Sequence, residues 1–203
     1  MYTLLKGLYS YIHQKNEYSI LILGLDNAGK TTYLEQAKAK FNKNYNEANL
    51  NKITTTVGLN IGSIDIANVK LNFWDLGGQQ ELQSLWDKYY SESHALIYII
   101  DSSDTDRFDE SKIAFEKMIK NQMLLGVPLM ILANKQDLPG AASVYSIRQL
   151  FSDSYNLIGH RDCTVKGVSA LKGDGILESI NWCAEKVKQN SNKRPPVAKE
   201  LIF

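Results

Sequence analysis

Cysteine is scarce in this sequence, and that scarcity excludes two kinds of protein. Only Cys163 and Cys183 occur among 203 residues, far apart and in unrelated contexts. So few thiols provide neither a disulfide framework nor a cysteine metal site, and they suit a reducing compartment. We expect both to be ordinary buried thiols.

Long apolar runs are also missing. No stretch approaches the roughly 20 residues that a membrane-spanning helix needs. The first residues lack the basic region and continuous apolar segment of a secretory signal. We therefore expect a protein that stays in the cytoplasm or on the cytosolic face of a membrane.

Neither sign of charge is in excess. The 23 basic and 22 acidic residues give a formal net charge of +1, so no overall field favours nucleic acid. We expect no nucleic-acid partner, and any membrane contact must be local. The length suits one α/β domain.

Short apolar runs alternate with helical patterns along most of the chain. Strands are predicted at residues 20–23, 59–66, 69–74, 95–100, 128–133 and 165–168, and helices near 30–41, 104–122, 143–151 and 175–188. This alternation predicts an α/β fold with a mostly parallel six-stranded sheet flanked by helices. Ligands of such sheets bind beyond the carboxyl ends of the strands, and each motif below directly follows a strand.

Residues 24–31 form a glycine-bounded loop between a predicted strand and a predicted helix. Their sequence matches the P-loop pattern, in which backbone N–H groups surround phosphates, a lysine reaches the β- and γ-phosphates, and a threonine ligates Mg²⁺. The predicted nucleotide contacts in this segment are Gly24, Leu25, Asp26, Asn27, Ala28, Gly29, Lys30, Thr31 and Thr32. A glycine-rich turn before a surface helix is the plainer alternative.

A second phosphate element follows the strand at 69–74. Asp75 can hold magnesium through water, Gly78 can offer its N–H to the γ-phosphate, and Gln79 can orient an attacking water. A plain Asp-Gly turn is the alternative. Gln79 is the candidate catalytic residue.

Two further loops can recognise the base. Asn134, Lys135 and Asp137 follow a strand, and the Asp137 carboxylate can accept from guanine N1–H and the 2-amino group together, a pair that adenine lacks. The segment Ser169, Ala170 and Leu171 follows the last strand and can contact guanine O6 through its backbone. A helix N-cap at Ser169 explains that tripeptide equally well.

These elements in this order, with Thr56 upstream of the hairpin, resemble the signature of Ras-like GTPases over nearly the whole chain. Within that superfamily, Gly-Leu-Asp-Asn-Ala-Gly-Lys-Thr-Thr, Trp-Asp-Leu-Gly-Gly-Gln, Asn-Lys-Gln-Asp and Val-Gly-Leu-Asn are similar to Arf and Arf-like proteins. Tyr18-Ser19-Ile20 looks most like the Arf-related subfamily. The resemblance implies a P-loop NTPase with the small G-protein fold: an N-terminal amphipathic helix at 1–16, a GTP-binding domain at 17–190 and a C-terminal tail at 191–203.

The resemblance also implies site roles. Mg²⁺ is expected on Thr31, Thr56 and, through water, Asp75. The residues expected to face effectors are Leu59, Trp74 and Tyr89. Leu59 departs from the phenylalanine usual there, and the loop at 41–52 is longer than usual.

The implied activity is a switch between GDP and GTP. Hydrolysis and nucleotide release are expected to be slow, because no arginine is obvious near Gln79. An exchange factor and a GTPase-activating protein are expected to set both rates. The negative charge of Asp26 beside the γ-phosphate is expected to slow unassisted turnover further.

The first residues predict a short amphipathic helix, whose apolar face holds Met1, Leu4, Leu5, Leu8 and Ile12. Tyr2 stands where myristoylation needs glycine, and so short a helix holds a bilayer weakly by itself. The Arf-related resemblance suggests an acetylated Met1 and docking on an integral membrane receptor. We predict a peripheral protein of the Golgi membrane, with the trans-Golgi favoured, that recruits effectors and regulates vesicle trafficking.

Two other functions compete with this interpretation. One is a GTP-locked scaffold with negligible hydrolysis, against which Gln79 argues. The other is an ATP-dependent enzyme, which Asn134 and Asp137 oppose. The tail around Lys193 and Arg194 carries no prenylation box, and we expect it to be solvated.

Overall fold

The computed structural model describes residues 15–42, 45 and 53–197. Its strands are β1 (Asn16–Leu23), β2 (Leu59–Ile66), β3 (Val69–Leu76), β4 (Ala95–Asp101), β5 (Leu129–Asn134) and β6 (Cys163–Gly167). Its α-helices are α1 (Lys30–Phe41), α2 (Gln80–Gln83), α3 (Phe108–Ile119), α4 (Val144–Leu150), α5 (Tyr155–Ile158) and α6 (Ile176–Gln189). Shorter 3₁₀ segments lie at Trp86–Glu92, Thr105–Arg107, Gln122–Leu124 and Ser152–Ser154.

All six strands form one sheet in the order β2-β3-β1-β4-β5-β6. Every neighbouring pair is parallel except β2 and β3, which form an antiparallel hairpin. This confirms the predicted mostly parallel six-stranded α/β fold. Because the parallel strands end at one edge, the loops after β1, β3, β4, β5 and β6 share that edge.

The apolar strand residues alternate between two buried layers. Ile20 and Ile22 of β1 belong to the layer beneath α1 and α6, whereas Leu21 and Leu23 belong to the layer beneath α3 and α4. A central strand buried on both faces is apolar at successive positions, which explains the continuous run in β1.

The β2–β3 hairpin turns at the two residues that the sequence indicated, Ala67 and Asn68. Both have positive φ, at 46° and 63°. This is the backbone conformation of a two-residue type I′ turn, which matches the right-handed twist of the paired strands. The predicted turn is confirmed.

The helix predicted at 104–122 differs from the structure at both of its ends. It is divided into Thr105–Arg107, α3 and Gln122–Leu124. The division at its end has a local cause, because the Asn121 side chain accepts a hydrogen bond from the Met123 N–H and starts a new turn. The segments α2, α5 and Trp86–Glu92 were not predicted, because they are too short to show helical periodicity.

Two expectations about the surface are wrong. Cys183 is buried as expected, but Cys163 is exposed at the start of the edge strand β6. The described part of the tail is not simply solvated, because the Val197 N–H donates to Glu17 O at 2.9 Å and the Pro195 carbonyl lies 2.8 Å from His94 Nε2.

Parts of the prediction lie outside the described residues, namely the amphipathic helix apart from residues 15–16, most of the long loop and the last six residues. In the long loop Tyr45 is described, and its hydroxyl donates to Glu35 of α1. Within the described ranges, none of the helices combines the length and the hydrophobicity that a membrane span requires.

Candidate nucleotide-binding site

A cavity of about 180 Å³ opens where the loops after β1, β3 and β5 converge. Its walls come from four stretches of sequence, which are the P-loop residues Asp26, Asn27, Gly29, Lys30, Thr31 and Thr32, the segment 53–56, Gly78 and Lys135. The fold thus brings together the phosphate-binding residues that the sequence indicated, from positions more than 100 residues apart.

The P-loop conformation depends on residues with positive φ and on close backbone approach. Gly24 has φ +139°, and a Cβ there would lie 2.1 Å from Ile99 O. Gly29 has φ +90°, and a Cβ there would lie 2.3 Å from Asn134 Nδ2. The next residue, Lys30, begins α1, so the positive end of the helix dipole faces the cavity, as an anion site requires.

Lys30 is almost fully buried at the floor of this loop. Its Nζ donates to Leu25 O at 2.8 Å. Burial lowers the pKa of Lys30 to about 8, although the nearby carboxylates of Asp75 and Asp26 partly offset this. A buried ammonium group at a helix N-terminus is arranged to meet an anion.

Thr31, Thr56 and Asp75 meet at one point. Thr31 Oγ1 donates to Asp75 Oδ2 at 2.6 Å and lies 2.5 Å from Thr56 Oγ1, and Thr56 Oγ1 is 3.4 Å from Asp75 Oδ2. Asp75 is fully buried, and its Oδ1 has no hydrogen-bond partner among the described residues. Burial raises the pKa of this carboxyl, and the hydrogen bond from Thr31 opposes that shift. These clustered oxygens, one of them unsatisfied, fit a hard divalent cation such as Mg²⁺.

The turn after β3 packs directly on the P-loop. A Cβ on Gly78 would lie 2.3 Å from the Leu25 carbonyl carbon and 2.4 Å from Asp26 N, so only glycine fits. The Gly77 N–H donates to Gly58 O at 2.9 Å, and Trp86 Nε1 donates to Gly77 O at 3.0 Å. The turn is therefore held by hydrogen bonds at Gly77 and packed on the P-loop at Gly78, which a plain Asp-Gly surface turn would not be.

Gln79 lies immediately beyond this turn and is exposed. Its carbonyl accepts hydrogen bonds from Leu82 and Gln83, so it begins α2. It directly follows Gly78, which lines the cavity, and its role in orienting water stays a prediction.

Asn134 joins three loops through its amide. Its Nδ2 donates to Ala28 O at 2.8 Å, and its Oδ1 accepts from Ala170 N at 2.9 Å. Asn134 is 1% exposed. Through these two hydrogen bonds, the Asn134 amide holds the P-loop against the loops after β5 and β6.

Asp137 and Ser169 lie side by side at the predicted base site. Ser169 Oγ donates to Asp137 Oδ1 at 2.6 Å and accepts from the Lys172 N–H at 3.0 Å. The alternative of a helix N-cap at Ser169 is excluded, because α6 begins only after Gly175. Lys135 has φ +62°, and its Nζ forms an ion pair with Asp101 at 2.6 Å. Leu171 is exposed beside them.

Arg107 contacts the P-loop, although nothing in the sequence indicated this contact. Arg107 Nη1 lies 3.1 Å from Asp26 Oδ1, and Nη2 donates to Asp26 O at 3.3 Å. No local pattern marks a pair separated by 81 positions. The charge of Asp26, which we expected to slow turnover, is therefore paired with a cation.

Of the three residues expected to face effectors, Leu59 and Trp74 lie on the β2–β3 hairpin, and Tyr89 packs against Trp74. Trp74 and Tyr89 form an edge-to-face pair with ring centroids 5.6 Å apart, and Leu59 is 37% exposed. Ile61 was missed, although it is 59% exposed and pairs with Trp74 across the strands. Val57, two positions before Leu59, is 82% exposed.

Comparison with known proteins decides the family. The profile of the ADP-ribosylation factor family, Arf, matches residues 4–187. The chain belongs to the Arf family. This Arf-family protein is 57% identical over 201 residues to "ADP-ribosylation factor-related protein 1" of Homo sapiens, covering 99% of this chain and 100% of that protein.

Two further matches extend the comparison. "ADP-ribosylation factor-like protein 3" of Saccharomyces cerevisiae is 42% identical over 200 residues, covering 98% of this chain and 100% of that protein. A solved structure of the Arl6 BBS3 small GTPase from Trypanosoma brucei, with a bound nucleotide analogue, GppNp, matches with a TM-score of 0.73. It is 30% identical and covers 85% of this chain and 98% of its own.

These findings confirm the resemblance to the Arf family and the small G-protein fold. The protein is a small GTPase that hydrolyses GTP and acts as a GTP-binding switch. Arf-family GTPases generally use Mg²⁺ with the nucleotide and work with exchange factors, activating proteins and effectors. The ATP-dependent alternative is thereby set aside.

Proposed function

We propose that this GTPase, in its GTP state, recruits effectors to Golgi membranes, with the trans-Golgi favoured, and so regulates vesicle trafficking. The observation that carries the proposal is that the cavity-lining segment 53–56 runs directly into the exposed apolar residues Val57, Leu59 and Ile61. The similarity to ADP-ribosylation factor-related protein 1 along nearly the full chain supports the choice of this branch of the family.

The coupling runs through the backbone next to Thr56. Thr56 reaches the Asp75 and Thr31 cluster, and the next residue, Val57, is the most exposed large apolar residue of the described chain. Gly58 then accepts from the Gly77 N–H. A change at the γ-phosphate that moves Thr56 or Gly78 must therefore move the apolar surface, which is what a switch requires.

For the nucleotide itself, we propose that Thr31 and Thr56 hold Mg²⁺ directly and Asp75 holds it through water. Magnesium supplies positive charge to the phosphate oxygens. Lys30 and the P-loop N–H groups bind the phosphates, Gly78 donates to the γ-phosphate, and Gln79 orients the attacking water. Asp137 selects guanine.

Membrane attachment is proposed to depend on the amphipathic segment at 1–16 and an integral membrane receptor, with Met1 acetylated. Asn16 begins β1, and the start of this strand lies at the end of the sheet opposite the nucleotide cavity. That arrangement allows the nucleotide edge to remain open to exchange factors and activating proteins.

The proposal is tested by the location of a fluorescently tagged chain in cells. Thr31→Asn removes a magnesium ligand and is expected to disperse the protein from the Golgi into the cytoplasm. Thr105→Asn, an exposed threonine outside the cavity, is the matched control and is expected to stay on the membrane. Residence of the wild type on another organelle, or an unchanged location of Thr31→Asn, would contradict the proposal.

A further inference from the structure

Asp26 places a carboxylate where the protein must bind a polyanion. Asp26 lines the cavity, and its backbone nitrogen would lie 2.4 Å from a Cβ on Gly78. Gly78 is the residue assigned to the γ-phosphate. An uncompensated carboxylate at this end of the cavity would repel the third phosphate more than the first two.

Arg107 compensates that carboxylate from outside the P-loop. It ends the 3₁₀ segment Thr105–Arg107, which follows the end of β4 at Asp101. The guanidinium contacts Asp26 twice, with Nη1 3.1 Å from Oδ1 and Nη2 3.3 Å from the backbone carbonyl oxygen. Its Nε donates to Asp104 Oδ2 at 2.6 Å, and this contact orients the planar group.

The contact with the backbone has a separate effect. Asn27 follows Asp26 with φ +59°, a left-handed conformation that is uncommon for a residue other than glycine. Since the Asp26 carbonyl and the Asn27 N–H belong to one peptide plane, a donor that holds the carbonyl outward also holds the N–H in its direction. Arg107 therefore acts on both the charge and the orientation of the P-loop.

We propose that Arg107 is a positioning residue that sets the preference for GTP over GDP by neutralising Asp26 and holding its peptide. The side chains are 30% and 29% exposed, so solvent screens the pair only in part. Loss of Arg107 leaves a bare carboxylate near the γ-phosphate site. GDP has no group there, so GTP binding suffers more. The inference rests on the nucleotide site described above and is independent of the Golgi location.

The test measures the dissociation constants of GDP and of a non-hydrolysable GTP analogue in excess Mg²⁺. Arg107→Gln is expected to weaken the analogue about tenfold more than GDP. Arg107→Lys, which keeps the charge, is expected to keep the ratio within about threefold of wild type. The double variant Arg107→Gln with Asp26→Asn is expected to recover most of the ratio, because no bare charge remains.

If Arg107 contributed only to the stability of the fold, its loss would not change the ratio of the two dissociation constants. If Arg107→Gln weakens both nucleotides equally, or if the double variant does not recover the ratio, the inference is overturned. Arg148→Gln, an exposed arginine of α4, is the control and is expected to leave both constants unchanged. Binding of both nucleotides by the wild type tests the nucleotide site itself. If the wild type bound neither nucleotide, the site assignment would fail, whereas the outcomes above concern only Arg107.

A second variant covers the case in which Arg107→Gln does not fold. Asp26→Asn alone leaves the Arg107 cation next to the γ-phosphate site, and it is expected to raise the preference for the GTP analogue. A lowered preference in this variant would overturn the inference as firmly as the first measurement.

Discussion

Asp137 is the single residue on which the choice of base is expected to depend. Its carboxylate lies at the base site with Ser169 donating to Oδ1, and a carboxylate matches the two adjacent donors of guanine. Asp137→Asn replaces one acceptor with a donor. We expect at least about a hundredfold weaker binding of guanine nucleotides, because an unpaired buried polar group is costly.

The same substitution is expected to favour xanthine nucleotides, which carry a carbonyl where guanine has the 2-amino group. Competition between guanine and xanthine nucleotides measures the change. Asp109→Asn, an exposed carboxylate in the first turn of α3 and outside the cavity, is the control. Unchanged purine preference in Asp137→Asn would contradict the assignment.

At the scale of elements, the tail after α6 covers an open edge of the sheet. β4 begins opposite Ile20, so the earlier residues of β1 lack a strand on that side. The tail and His94 occupy this position, because the Val197 N–H donates to Glu17 O and His94 Nδ1 accepts from the Ser19 N–H at 3.0 Å. Arg194 adds a hydrogen bond to Ser91 O at 3.0 Å.

This arrangement makes stability depend on pH through His94. Burial, aided by the charge of Arg194, lowers the pKa of His94 against the hydrogen bond to the Pro195 carbonyl. As pH falls below about 6.5, the unfolded histidine takes up a proton before the folded one. The folded state therefore loses stability between about pH 6.5 and the lowered folded pKa. A proton on Nδ1 would also break the contact with Ser19.

Thermal unfolding at a series of pH values measures this effect. The fall in Tm on acidification is expected to be steeper in the wild type than in His94→Gln, which cannot take up the proton. His160→Gln, at an exposed position, is expected to keep the wild-type slope. Equal slopes for the wild type and His94→Gln would contradict the role of His94.

The elements also show which parts of the fold could be predicted. Strands β2 and β3 and helix α1 follow the periodicity of the sequence, and the turn at Ala67 and Asn68 is visible between two alternating patterns. The contacts of the tail could not be predicted, since they join backbone groups of distant segments. Hydrogen bonds of that kind leave no trace in side-chain pattern.

At the scale of the molecule, nucleotide and magnesium are expected to contribute a large share of stability. With a nucleotide at about 100 times its dissociation constant, binding stabilises the folded state by about 2.7 kcal/mol. For a chain of this size that corresponds to roughly 5–10 °C in Tm. Chelation of magnesium is expected to lose most of this gain and to accelerate nucleotide release.

The variant Asp75→Asn distinguishes the contribution of magnesium to the Tm from that of the nucleotide. The buried Asp75 carboxylate has an unsatisfied oxygen, so a neutral amide is expected to raise the Tm of the nucleotide-free protein. The same variant is expected to show a clearly smaller gain in Tm from magnesium than the wild type. Thermal scans with and without a chelator check both outcomes, and a magnesium response of normal size would contradict the assigned site.

The whole site was only partly visible in the sequence. Contiguous motifs predicted the P-loop, Asp75, Gly78 and Asp137 as site residues, because each follows a strand and carries residues suited to its expected ligand. Arg107 was invisible, since its partner is 81 positions away and neither residue belongs to a shared motif. The structural effect of Asn134 also needed coordinates, because its amide acts between loops.

The Asn134 amide has a consequence for how such a protein could be emptied of its ligand. This one buried side chain links the P-loop at Ala28 to the loop after β6 at Ala170. A factor that displaces the P-loop is therefore expected to displace the loop after β6 as well. The contacts to the phosphates and to the base should then be lost together, so we expect nucleotide release to be a single concerted event.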